Sequence, residues 1–250
     1  MLTNYNINNT KITRIPCINA KLEDRENSEK INKTDYKRLI GSLLYVSTKT
    51  RPDIAFAVNQ AARFSENPTR ADLNAGIQIL KYLKSTKDYS IHYNGKKILR
   101  AYCDADFAGD EVKRRSTSGY IFVLGNSPIS WKSITQKNIA LSTTEAEYSS
   151  LIECTKQAIW IRRLVNEIFN KNIRINIRID NKPCKDIAEN ENQKGRCKYM
   201  DIKYKYVQDE IMKNEIKLTL IGSNSMMADP LTKSISGPKL KYFSDFIMEM

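Results

Sequence analysis

The sequence predicts an α/β domain built on a mixed sheet, with an antiparallel meander first, strand–helix units after it and a small helical appendage on the N-terminal side. Three observations predict it. Residues 89–133 carry several short strand-like runs separated by turn residues. A long amphipathic helical pattern follows in "ALSTTEAEYSSLIECTKQAIWIRRLVNEIF". Two further strand patterns, "NIRINIRIDN" and "EIKLTLIG", are then separated by helical segments, and strands that alternate with helices build a sheet covered by helices.

Residues 1–34 are polar and rich in Asn, without sustained periodicity, and read as a linker or disordered arm. "DYKRLIGSLLYVSTKTRPDIAFAVNQAARF" brings two apolar bursts around "TKTRPD", a helix pair in which Pro52 suits a first helical turn and Asp53 complements the helix dipole. In "NPTRADLNAGIQILKYLKSTKD", Thr69 can cap a helix whose Leu73, Ile77, Leu80 and Leu83 share a face. "YSIHYNGKKILRAYCDAD" reads as a hairpin turning at Asn94–Gly95, with its second strand ending at the aspartates. "TSGYIFVLGNSPISWKS" adds two strands around "GNSP".

In the long helix, Thr144 and Glu147 have capping-box spacing, and Glu147, Leu151, Cys154, Ala158, Ile161 and Val165 trace one face. Ile173, Ile175, Ile177 and Ile179 alternate strictly up to Asp180. Helical segments near 183–190 and 198–213 follow, then the strand in "EIKLTLIG", then "SNS" leading into "MMADPLTKS". Trp131 and Trp160 read as core aromatics.

Composition bounds the class. The chain has 250 residues, 41 % of them apolar and 28 % charged, which suits a soluble globular protein able to bury a core. Its net charge of +13 fits either a polyanion-binding surface or an AT-rich coding bias that favours Lys, Asn and Ile. Five scattered cysteines without a C-x-x-C pair indicate a reducing compartment and no zinc cluster. No apolar run spans a bilayer and "MLTNYNINNTK" lacks a signal-peptide core, so a cytosolic or nuclear location and no membrane partner are expected.

"AYCDADFAGD" crowds Asp104, Asp106 and Asp110 into ten residues, which suits either a solvated turn or a site needing dense negative charge. Four acids occupy special places: Asp104 at a strand end, Glu147 in the first turn of the long helix, Asp180 at the end of the alternating strand, and Asp229 where a short helix would begin. Strand ends and helix starts gather at one edge of such a sheet, so convergence is expected. Each acid alone has a structural explanation, as a cap or a turn residue.

Together, "YCDADFAGD", "RRSTSGYIF", "ISWKSITQKNIALSTTEAEY", "IDNKPCKDIA", "DIKYKYVQDEI" and "MMADPLTK" resemble the ribonuclease H part of copia-type retrotransposon Pol polyproteins across about residues 35–235. "YKRLIGSLLYVSTKTRPDIAFAV" and "NPTRADLNAGIQILKYLKSTKD" resemble the closing thumb and connection part of the same family's reverse transcriptase. The resemblance implies a ribonuclease H-like fold over residues 95–235, a thumb or connection remnant over 35–94 and a tail over 236–250.

It also implies Mg²⁺-dependent cleavage of the RNA strand of RNA–DNA hybrids, with Asp104, Glu147, Asp180 and Asp229 as ligands of two Mg²⁺ ions, Mn²⁺ being able to substitute. Hard magnesium takes oxygen ligands, so no histidine or thiolate is needed. Lys113, Arg114 and Arg115, with Lys194, Arg196 and Lys198, are the candidates for gripping nucleic-acid phosphate, or else belong to solvated loops. In this reading Asp106 and Asp110 tune the field or are solvated.

The resemblance has gaps. The chain's one histidine, His92, precedes the first ligand, and Tyr199 stands where relatives commonly carry a histidine. No Y-x-D-D turn is present, so no polymerase activity is expected. The partners implied are the hybrid duplex and the remaining reverse transcriptase and integrase parts of the element. The alternative is a weak or inactive remnant that binds hybrid duplex without cutting.

Overall fold

A computed structural model describes residues 7, 13–17, 25–93, 95, 98–110, 112–190 and 198–249, with only the backbone over 198–203. Its centre is a five-stranded mixed sheet. Strands β1 (Leu99–Asp106), β2 (Thr117–Leu124) and β3 (Ser127–Thr135) form the expected antiparallel meander, and β4 (Ile175–Ile179) and β5 (Ile216–Leu220) extend it, in the order β3-β2-β1-β4-β5. β4 runs parallel to β1, and β5 parallel to β4. A meander continued by strand–helix units is the architecture expected of a ribonuclease H-like fold.

One face of the sheet carries α4 (Thr143–Phe169), α5 (Lys182–Glu189) and α6 (Lys198–Met212). The strict alternation in β4 points Ile175, Ile177 and Ile179 into this layer, where they meet Leu151, Cys154, Ala158 and Ile161 of α4, all buried. Val165, last of the expected stripe, is partly buried against the same cluster.

The opposite face is covered by α1 (Lys33–Lys49), α2 (Ala55–Ala62), α3 (Arg70–Ser85) and α7 (Gly237–Ile247). Tyr36, Leu39, Leu43, Ile54, Ile79 and Leu80 pack with Tyr102, Ile121 and Val123 of the sheet and with Leu240, Phe243 and Ile247 of α7 in one cluster. Residues 236–250, expected as a tail, therefore contain a helix with a buried apolar face. Of residues 1–34, expected as an arm, the described stretches are also held down: Ile7 is buried, and Arg25 bonds Asp72 through Nε at 2.8 Å.

Several expectations need correcting. Residues 89–93 form no strand. Both edges of β1 are taken, by β2 and β4, so this segment has no partner there, and Ser90 instead makes an isolated bridge to Glu249. Asn94 of the expected turn lies outside the described residues. α3 turns Gly76, Ile79 and Leu80 to the core, with Leu73, Ile77 and Leu83 only partly buried. Thr69 does cap it, in a box closed by Asp72. Trp131 is partly buried and donates from its indole to the Ser47 carbonyl at 2.7 Å. Trp160, in contrast, is 58 % exposed.

Asp53 does more than complement a helix dipole. It lies in a short 3-10 turn, Pro52–Ile54, and its carboxylate is sealed in the core against Arg51 and the Tyr82 hydroxyl. No helix among the described residues is long and apolar enough to cross a membrane.

Candidate metal centre

The site lies where β1 and β4 end side by side. Their parallel register pairs Ala101 with Ile177 and Tyr102 with Arg178, and its continuation brings Asp104 level with Asp180. Asp104 is two residues short of the end of β1, and Asp180 directly follows β4. Asn181, next in line, caps α5 by accepting from the Cys184 amide at 2.8 Å, which turns the chain away and leaves Asp180 at the edge.

Glu147 arrives from α4, and the way that helix begins explains why it is available. The expected Thr144–Glu147 box is not the cap. Ser142 caps the helix by accepting from the Glu145 amide at 3.1 Å, and the Glu145 carboxylate reaches back to the Leu141 amide at 2.8 Å. Glu147 is thereby released from capping and buried against the sheet. Two contacts missed by sequence reasoning fix this helix start. Ser150 donates to the Asp104 carbonyl at 2.7 Å, and the Gln136 side-chain amide donates to the Ala146 carbonyl at 2.9 Å.

The structure brings three of the four expected acids together. One carboxylate oxygen each from Asp104, Glu147 and Asp180 lies within 4.8 Å of the others. Asp104 and Glu147 are buried, and Asp180 is half-buried. Burial and the neighbouring carboxylates push Glu147 up to about 9. Asp104 rises to about 6 through burial, with Asp229 and Asp180 adding to it against Lys233 and Thr232. Anionic carboxylates this close are unfavourable without a counter-charge, and an all-oxygen donor set suits a hard divalent cation. The triad is therefore able to hold a metal ion.

Asp229 sits beside this group, joined to it through a short segment. It opens the 3-10 turn Asp229–Leu231, and the next residue, Thr232, donates to Asp104 Oδ2 at 2.5 Å. Although burial acts to raise Asp229, hydrogen bonds from Lys233 and Lys239 hold its carboxyl below the usual range. Lys233 Nζ is 2.8 Å from Asp229 Oδ1 and 3.9 Å from Asp104 Oδ2, and Lys239 pairs with Asp229 Oδ2. Thr232 and Lys233 lie within "ADPLTKS", whose acid alone drew attention. Nothing local marks Lys239, which comes from α7.

Gly119 is a further residue whose role sequence reasoning missed. It pairs with Asp104 across β1 and β2. A Cβ there would stand 2.7 Å from Thr232 Cγ2 and 2.8 Å from Leu231 Cβ, so only glycine lets the 228–232 segment lie this close to the sheet.

Asp106 and Asp110 part ways. Asp106 is partly buried, and burial raises its carboxyl. Asp110 is buried rather than solvated. It accepts from the Val112 and Lys113 amides at 2.9 and 3.1 Å and pairs with Arg63 at 2.5 Å, which ties the β1–β2 loop to the end of α2. That loop carries Lys113 and Arg114, both exposed, and the half-buried Arg115, at the sheet edge where β1 ends. Lys194 and Arg196 lie outside the described residues, and Lys198 begins α6 with its side chain likewise outside them.

The crowded carboxyls give stability a pH dependence of definite sign. Glu147 binds its proton more tightly folded than unfolded. Its stabilisation is full below its ordinary value of 4.5 and lost as pH rises through about 9. Metal-free protein is expected to lose thermal stability across that window, and Glu147→Gln, which cannot ionise, to lose less. Melting in a chelator at successive pH values checks this; equal slopes for both proteins would remove the assignment.

No protein-family model matches the chain. It is 34 % identical over 255 aligned positions to the Retrovirus-related Pol polyprotein from transposon TNT 1-94 of Nicotiana tabacum, covering 99 % of this chain and 19 % of that protein. It is 36 % identical to the Retrovirus-related Pol polyprotein from transposon RE1 of Arabidopsis thaliana, covering 86 % of this chain and 15 % of that protein. The chain thus spans less than a fifth of the length of these curated relatives. Among solved structures, LC11-RNase H1 in complex with an RNA/DNA hybrid aligns with a TM-score of 0.41 at 12 % identity, over 54 % of this chain and 94 % of that one.

Proposed function

Because the chain belongs to the copia-type retrotransposon Pol family, we propose that it is a ribonuclease H unit that hydrolyses the RNA strand of RNA–DNA hybrids with Mg²⁺. The observation that carries this reading is the meeting of Asp104, Glu147 and Asp180 within 4.8 Å at the end of two parallel strands. Bound divalent cations supply an activated water and neutralise charge at the leaving oxygen.

The chain's own groups prepare the site. Asp104, Glu147 and Asp180 provide hard oxygen donors, and Asp229 is the fourth candidate ligand from the adjoining turn. Thr232 fixes Asp104 Oδ2 by its 2.5 Å hydrogen bond, which restricts the carboxylate to one orientation. Ser150 anchors the backbone beneath it. Lys113, Arg114 and Arg115 in the β1–β2 loop, with Lys194, Arg196 and Lys198, are the groups proposed to grip phosphates. Discrimination of RNA from DNA then rests on the 2′-hydroxyl across the minor groove. In the longer polyprotein, the reverse transcriptase and integrase parts are the proposed neighbours, and residues 35–94 the remnant of a thumb or connection.

The test is a labelled RNA–DNA hybrid incubated with the full chain and Mg²⁺. Cleavage confined to the RNA strand and abolished by chelator is expected. Intact hybrid that the chain nevertheless retains, with salt-sensitive and metal-independent affinity, would instead identify a binding module.

A further inference from the structure

Asp229 is the site carboxylate that the fold has already neutralised. Two ammonium groups contact it, whereas the nearest described cation to Asp104 is Lys233 at 3.9 Å. Building on the metal-dependent reading above, we propose that Lys239 is a latch. Its ammonium holds the charge position that a second divalent cation would claim at Asp229, so that the Asp104–Glu147–Asp180 group fills first and the second position opens only when Lys239 withdraws.

The two lysines are unequal in the way this requires. Lys233 lies one turn after Asp229 in the same segment and faces Asp104 and Asp106 as well, so its charge is committed to the whole acidic edge. Lys239 belongs to a different element, α7, and touches only Asp229 among these acids. Its side chain is 39 % exposed, so the ammonium regains water by rotating its flexible stem without disturbing the helix. A divalent cation approaching the same carboxylate meets direct charge repulsion until that rotation occurs. Leu240 and Phe243 of α7 are buried in the same cluster as residues of α1, α2 and α3, so the helix stays in place while the Lys239 side chain moves.

The experiment is a Mn²⁺ titration of metal-free full-length chain, with free ion counted by its paramagnetic resonance signal. Parent protein is expected to bind one ion tightly and a second more weakly. Lys239→Met is expected to tighten the second site about tenfold, roughly the effect of removing one partly solvated charge, and to leave the first unchanged. Lys239→Arg, which keeps the charge, is expected to behave as the parent, and adding Asp229→Asn to Lys239→Met to abolish the second ion. If Lys239 only pins α7, Lys239→Met lowers the melting temperature and alters neither affinity, and the latch is overturned while the metal reading stands. Absence of Mn²⁺ uptake by every protein overturns both.

Discussion

Asp104→Asn is expected to lower hybrid cleavage by about 10³-fold or more, equivalent to roughly 4 kcal/mol of barrier. Asp104 is the hub of the site: it sits level with Asp180, within 4.8 Å of Glu147, and bound to Thr232. An amide keeps the shape and loses the anionic charge that makes the group a strong ligand for a hard cation. The same substitution removes a crowded charge from a buried place, so metal-free Asp104→Asn is expected to melt no lower than the parent. Loss of cleavage with an undiminished melting temperature therefore separates chemistry from folding. Residual activity within tenfold of the parent would show that the reaction does not pass through this carboxylate.

The largest effect on stability is expected at Asp53. Its oxygens accept from Arg51 Nε at 2.9 Å, Arg51 Nη2 at 2.7 Å and the Tyr82 hydroxyl at 2.8 Å, and its side chain is fully shielded from solvent. Arg51 is committed further, to the Thr86 carbonyl and hydroxyl. Asp53→Ala leaves a guanidinium buried without its counter-charge and a phenol without its acceptor. Breaking such a pair from one side costs about 3–5 kcal/mol, which for a chain of this size is roughly 10 °C in Tm. Replacing both partners together, as in Arg51→Met with Asp53→Leu, is expected to recover much of that loss, because no lone charge remains. A single-variant shift under 2 °C would show that water reaches the pair. The turn holding Asp53 packs on the Asp229–Leu231 turn, so a loosened core there also loosens one wall of the site.

What was legible in the sequence is what periodicity and local spacing determine. The isoleucine alternation of β4 and the apolar face of α4 are properties of neighbouring residues, and both appear in the structure nearly as read. Spacing failed where two registers fit equally. "STTEAEY" offers Ser142–Glu145 as well as Thr144–Glu147, and only the sheet beneath the helix, which draws Glu147 inward, decides between them. The alternation at 89–93 looked like a strand, but strand formation needs a free edge, and distant β4 had taken it. Asp53 and Asp110 looked like helix-start and turn residues because what buries them comes from far along the chain: Tyr82 closes over the local Arg51–Asp53 pair, and Arg63 reaches Asp110. The gathering of Asp104, Glu147 and Asp180 followed from topology once strand ends and helix starts were placed. The engagement of Asp229 by Lys239 did not, since a lysine in a stretch read as a C-terminal tail carries no signal of its own.

The shared apolar cluster beneath the sheet has a consequence for proteolysis of the chain. A protease acting between Ser85 and Leu99 would nick the backbone without parting the fragments, because Tyr36, Leu39 and Ile79 on one side of the nick interlock with Tyr102, Ile121 and Phe243 on the other. The cleaved material would migrate as two bands under denaturing conditions and as one particle in native buffer.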